Sequence, residues 1–155
     1  MEKIKSFQVD HRKLGLGIYI SRIDGDIVTY DLRFCRPNTG ILLDNITIHT
    51  IEHMIATFTR NSDIGGDVVY FGPMGCRTGF YFLVRSSVPA EKVRKEMVSA
   101  IKKTLEYKGP VFGASEIECG NYRELDLEMA KTALAEYLPV IENAEIMDYD
   151  EVNSL

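Results

Sequence analysis

The chain has 155 residues, 45% of them apolar and 26% charged, with a formal net charge of -5 at pH 7 and a pI of about 5.2. That length suits one domain with a substantial core. An acidic balance offers no clustered basic footprint, so nucleic acid is excluded as a partner, and no apolar run is long enough to cross a bilayer.

Met1 to Ser6 is followed by no apolar signal core, so a cytoplasmic protein is expected. The three cysteines, Cys35, Cys76 and Cys119, are odd in number and widely spaced. In a reducing compartment they read as thiols available for metal or chemistry, not as a disulfide framework.

Residues 14 to 21 and 27 to 35 are rich in Ile, Tyr, Val and Phe and flank Asp24-Gly25, which predicts a hairpin. Alternation along its second strand puts Val28, Tyr30, Leu32 and Phe34 on one face and Asp31, Arg33 and Cys35 on the other. Residues 46 to 60 predict a helix capped from Asn45 or Thr47. Strands are expected at Val68 to Phe71 and Thr78 to Arg85, on either side of a Gly-Pro-Met-Gly turn.

Pro89 suits the first turn of a second helix, whose apolar residues Val93, Met97, Ala100, Ile101 and Leu105 keep helical spacing up to Gly109-Pro110. A last helix is expected from about Asp126 to Leu138, with Pro139 as its stop. The whole predicts a single α+β domain over residues 1–141, an antiparallel β-sheet layered with α-helices. Residues 142–155 hold Glu142, Glu145, Asp148, Asp150 and Glu151 with no basic residue, and are expected to be a solvated acidic tail.

Two of the chain's three histidines lie in His49-Thr-Ile-Glu52-His53. Residues four apart on a helix are neighbours, so both imidazoles can reach one cation. Glu52 lies close to the same site, where it can handle protons without being a ligand; this is the inverted form of the zincin helix. With His49 as origin and about 100° per residue, His53, Glu52, Ala56 and Arg60 fall within roughly 60° of it. Ile51, Met54, Ile55 and Phe58 fall on the opposite side, as a core face should.

Two imidazoles leave a catalytic shell one protein ligand short. His11, any of the three cysteines or a distant carboxylate could complete it. A thiolate would favour a borderline metal such as zinc or ferrous iron.

Five segments together resemble the S-ribosylhomocysteine lyases, the autoinducer-2 synthases. They are Ser6 to His11 (SFQVDH), Asp31 to Asn38 (DLRFCRPN), His49 to His53, Pro73 to Phe80 (PMGCRTGF) and Glu118-Cys119-Gly120, in the family's order. The resemblance implies that His49, His53 and Cys119 bind one metal ion per subunit, ferrous iron with zinc or cobalt able to substitute. It implies that Cys76 and Glu52 are the acid-base pair, and that Ser6, His11, Arg33 and Arg60 line the substrate pocket of a homodimer, some from the neighbouring subunit.

The implied reaction splits S-ribosylhomocysteine, moving a ketone along the ribose before homocysteine leaves by β-elimination. Cys76 would act as base when ionised, and Arg33, on the polar strand face, is the candidate cation beside it. Arg60 would hold the substrate's carboxylate.

Three positions depart from the family pattern: Arg36 stands where Gln is usual, Tyr70 where many members carry Asp, and Phe71-Gly72 where Ile-Ser is usual. They put recognition of the amino-acid end in question. A rival reading, a small metallopeptidase with Glu52 activating water, needs a carboxylate as third ligand and leaves Cys76 and Cys119 without a task. A binding protein keeping a structural metal is a second rival; such a site would be closed by four protein ligands.

Overall fold

The computed structural model describes residues 1–155. Five strands form one sheet: β1 (Gly17–Asp24), β2 (Ile27–Arg33), β3 (Val68–Pro73), β4 (Gly79–Arg85) and β5 (Met147–Asp148). Their order is β3-β4-β2-β1-β5. All neighbours are antiparallel except β1 and β5, which run parallel. The sheet is therefore mixed at one edge, because the chain returns to β1 after its last long helix.

The hairpin turn has Gly25 in the left-handed region at φ 59°, as a tight two-residue connection requires. Pairing of β2 with β4 sets Val28 beside Val84, Tyr30 beside Phe82 and Leu32 beside Phe80. These six side chains are buried under the helices.

Three long helices cover that face: α1 (Asn45–Arg60), α2 (Ala90–Glu106) and α3 (Leu127–Asn143). α1 is capped by Asp44, one residue before the predicted cap, whose carboxylate accepts from the Ile46 N–H at 2.8 Å. Ile51, Met54 and Ile55 are buried, so the predicted core stripe faces inward; each such side chain contributes about 1.5–3 kcal/mol. α2 buries Val93, Met97, Ala100 and Ile101.

Pro139 does not stop α3, which continues to Asn143 with the proline inside it. Burial of Tyr137 and Ile141 explains the continuation. The Tyr137 ring stacks on Phe34 at 3.8 Å between centroids and its hydroxyl donates to the Gly17 carbonyl at 2.8 Å. Tertiary packing of the last turn outweighs one missing amide.

The C-terminal residues also differ from expectation. Instead of a solvated tail, residues 147–153 form β5 and a short helix α4 (Tyr149–Asn153), closed by a capping box between Asp148 and Glu151. Tyr149 and Val152 are buried with Val9, Leu14 and Tyr19 in a second, smaller apolar cluster. The acids are on the outer side of that return, which is why composition alone made it look solvated. The N-terminal segment and α4 thus roof part of the sheet face opposite the long helices, where the Tyr149 hydroxyl donates to the Asp31 carboxylate.

Candidate active site

α1 presents His49, Glu52 and His53 on one side. The irregular stretch from Tyr107 to Asp126 wraps over them and is fastened to the helix at three points. The His49 Nδ1 donates to the Glu124 carbonyl at 2.9 Å, the His53 Nδ1 to the Phe112 carbonyl at 2.7 Å, and the Asp126 N–H to Thr50 Oγ1 at 2.9 Å. Phe112 is held by edge packing on Phe58 at 5.2 Å and by a tilted contact with Tyr107 at 4.8 Å.

A carbonyl only accepts, so both rings carry their proton on Nδ1 and leave the Nε2 lone pair free. Buttressing of this kind fixes tautomer and aim in metal-binding histidines.

The same wrap delivers Cys119. Its sulfur lies 3.4 Å from His49 Nε2, and the ligand atoms of His49, His53 and Cys119 all lie within 4.8 Å of one another. A tetrahedral ion with bonds of about 2.0–2.3 Å separates its ligands by roughly 3.5 Å, which the sulfur–nitrogen separation matches, and the donor types are those that could hold a divalent metal. The Asn121 N–H also points at the sulfur, at 3.4 Å, a partner suited to a thiolate. No carboxylate joins this group, which leaves the metallopeptidase reading without its third ligand.

Cys76 occupies a different place. It lies in the turn between β3 and β4, in a cavity of about 180 Å³ lined by His11, Arg33, Asn38, Leu42 and Thr78 among others. Three predicted residues, Cys76, Arg33 and His11, therefore meet. His11 is held by its Nδ1 on the Val9 carbonyl at 3.1 Å. None of the candidate metal group lines that cavity, and Glu52 stays beside that group on α1, its carboxylate making no hydrogen bond within the chain.

Arg33 is 1% exposed and Asp31 0%. The guanidinium grips the Asp31 carboxylate through both Nε and Nη2. Burial opposes the Arg33 charge, but the Asp31 carboxylate more than offsets it and shifts the group upward. Its remaining arm, Nη1, lies 2.7 Å from Thr78 Oγ1 and 4.0 Å from the Cys76 sulfur.

Cys35, expected on this polar face, is in the core instead, and burial pushes its thiol up. β2 ends at Arg33, and the N–H groups of Phe34 and Cys35 both turn to the Thr78 carbonyl at 2.9 Å, which breaks the alternation.

Two other predicted residues lie elsewhere. Ser6 lines a separate cavity of about 280 Å³ with Tyr70 and Tyr81. Arg60 donates to the Val68 and Val69 carbonyls at 3.2 and 2.8 Å, tying the start of β3 to the end of α1. Of the departures from the family pattern, Tyr70 and Gly72 form a pair. The Tyr70 hydroxyl lies where a side chain on residue 72 would begin, so a larger residue there would have to swing the exposed Tyr70 ring aside.

Sequence reasoning missed the carbonyls of Phe112 and Glu124, and it missed Thr78, Asp31 as anchor, and Tyr149. Thr78 was open to discovery, being two residues from Cys76; the others depend on distant contacts.

Two imidazoles and one thiolate leave a coordination position open, the pattern of a catalytic rather than a closed centre. Fold and donor set thus define a small α+β domain with an open metal-ligand set and a second, polar-bound thiol. Residues 4–147 match the sequence profile of the S-ribosylhomocysteinase (LuxS) family, and the chain belongs to that family. It is 41% identical over 148 residues to the S-ribosylhomocysteine lyase of Borreliella afzelii, covering 92% of this chain and 94% of the relative. It is 43% identical over 151 residues to that of Finegoldia magna, with the same coverage. With the enzyme of Clostridium beijerinckii it shares 42% over 143 residues, 89% of this chain and 90% of the relative.

Proposed function

We propose that the chain is an S-ribosylhomocysteine lyase, a carbon-sulfur lyase that releases L-homocysteine and 4,5-dihydroxy-2,3-pentanedione. The observation that carries this reading is the delivery of Cys119 to the free Nε2 side of His49 and His53, in a chain of that family. A divalent ion held there, ferrous iron with zinc or cobalt as substitutes and one per subunit, would stabilise negative charge on the sugar's carbonyl oxygens.

The chain's own groups do the rest. The Cys76 sulfur takes and returns the carbon-bound protons as the ketone moves along the ribose, with the Arg33 charge and the Thr78 hydroxyl beside it. Glu52, next to His53 and about a turn from His49 on α1, its carboxylate unpaired, relays protons between substrate oxygens. Homocysteine then leaves from C5 as a thiolate, a far better leaving group than an alkoxide.

Ser6 and His11 contribute to substrate binding, as does Arg60 through donors not spent on β3. Separation of the Cys76 cavity from the metal group favours a homodimer, in which the helix face of one subunit meets the thiol pocket of the other. No helix is long and apolar enough to cross a membrane, and the three free cysteines suit a reducing cytoplasm.

The test is thiol release from S-ribosylhomocysteine by the metal-loaded protein. Release should vanish in Glu52→Gln and in Cys76→Ala with metal content kept. An inactive wild type, or two fully active variants, would reject the assignment.

A further inference from the structure

We propose that the C-terminal helix is part of the machinery of Cys76, with Tyr149, Asp31 and Thr78 as positioning residues; this rests on the acid-base role given to Cys76 above. The inference follows from a line of hydrogen bonds whose directions are fixed up to Thr78, and fixed at the sulfur once Cys76 is ionised, because a thiolate only accepts. A guanidinium has donors only, so the 2.7 Å contact between Arg33 Nη1 and Thr78 Oγ1 uses a lone pair of the hydroxyl. The Thr78 proton is then free for the Cys76 sulfur, 3.1 Å away. When Cys76 acts as the thiolate its acid-base role requires, the sulfur has no proton to give, and Thr78 is the donor to it.

The orientation of Arg33 is set from the other side. Asp31 accepts both other arms of the guanidinium, and its Oδ2 also accepts from the Tyr149 hydroxyl at 2.7 Å. Burial, then the neighbouring Asp31 charge, raise the Tyr149 phenol far above its ordinary value, so it stays a donor. A line of hydrogen bonds thus runs from α4 through a buried ion pair to the sulfur. Tyr149 is 118 residues from Asp31 in sequence, and only the return of the chain over the sheet makes the line possible.

The test uses the full-length, metal-loaded protein with Tyr149→Phe, Thr78→Val and Thr78→Ser. Two quantities are read: kcat and KM for thiol release, and the iodoacetamide alkylation rate of Cys76, followed by mass on its own peptide. One hydrogen bond to a charged group is worth about tenfold in the anion's population. The less solvated sulfur is the better nucleophile, which cuts the net loss in alkylation to about threefold.

For Thr78→Val we expect that threefold loss, with kcat down about tenfold and KM unchanged. Thr78→Ser, which keeps the hydroxyl, should restore both. Tyr149→Phe keeps the buried ring and should lower kcat about threefold at unchanged KM, with melting temperature within a few degrees of wild type. Alkylation and kcat within twofold of wild type in both Thr78→Val and Tyr149→Phe, or no rescue by serine, would overturn the proposal. If Cys76→Ala itself retains turnover, the acid-base reading fails instead, and the two failures are told apart.

Discussion

Gly113 is where a one-carbon perturbation tests the proposed metal centre most directly. It lies at φ 70°, and a Cβ built there would sit 3.2 Å from His53 Nδ1. That nitrogen donates to the Phe112 carbonyl one residue away, at 2.7 Å. Gly113→Ala therefore does two separable things. The left-handed backbone costs about 1–2 kcal/mol, which lowers the melting temperature of the metal-free protein by roughly 2–7 °C. The methyl group also pushes the imidazole back by a few tenths of an ångström, loosening the bond that aims Nε2. Partners of this kind are worth about 10- to 100-fold in metal affinity, so an affinity loss near the lower end is expected. Gly113→Asn separates the effects, because asparagine tolerates the left-handed region but carries the same Cβ. Titration of cobalt against a chromophoric chelator reads the affinity, and thermal melting of the apo-protein reads the strain. Unchanged affinity in both variants, alongside a lowered melting temperature, would show that Gly113 serves the backbone only and that the His53 buttress is not what tunes the site.

Cys119→Ala should reduce bound metal far below one equivalent after desalting; full retention, read by atomic emission, would revive a centre completed by another ligand. Arg33→Met strands the Asp31 carboxylate in a buried place and should destabilise the fold by about 3–5 kcal/mol in urea unfolding. The double variant Asp31→Leu, Arg33→Met should recover most of that, and equal loss in single and double variants would refute the argument. Pro139→Ala restores an amide inside α3 and should raise stability by about 1–3 kcal/mol; a lower melting temperature would mean the proline fits a bend the helix needs.

The legible parts of this chain are those fixed by short-range geometry. His49, Glu52 and His53 are one turn of one helix, so the spacing that marks them in the sequence is the spacing that brings them together. The hairpin of β1 and β2 announced itself by its β-rich composition around Asp24-Gly25, although β1 runs three residues later than expected, and β3 and β4 by the Gly-Pro-Met-Gly turn between them. The three-long-helix layer followed from apolar period, although Pro139 misled because local propensity yielded to the burial of Tyr137 and Ile141. Cys119 was assignable only by resemblance. Spacing cannot say which of several donors a 20-residue wrap will carry to a helix 70 residues away, and the fastening points are backbone carbonyls, which every residue has. The tail was misjudged for a related reason. Five acids dominate its composition, while two apolar residues, Tyr149 and Val152, decide its place.

The buried pair at Asp31 and Arg33 carries the last step of the argument. Charges removed from water gain little net stability even when well paired, and apolar residues of similar volume commonly hold such a position as well or better. A leucine at 31, a methionine at 33 and a phenylalanine at 149 would anchor α4 to the sheet at least as firmly as the ion pair and phenol do. What the apolar trio could not do is carry a fixed positive charge, with one arm left over, to the edge of the Cys76 cavity. Bidentate pairing uses two arms of the guanidinium on Asp31 and leaves Nη1 aimed at Thr78. Stability does not ask for this arrangement and the acid-base role proposed for Cys76 does, which is the physical ground for proposing a C-terminal tyrosine as a positioning residue of a turn cysteine.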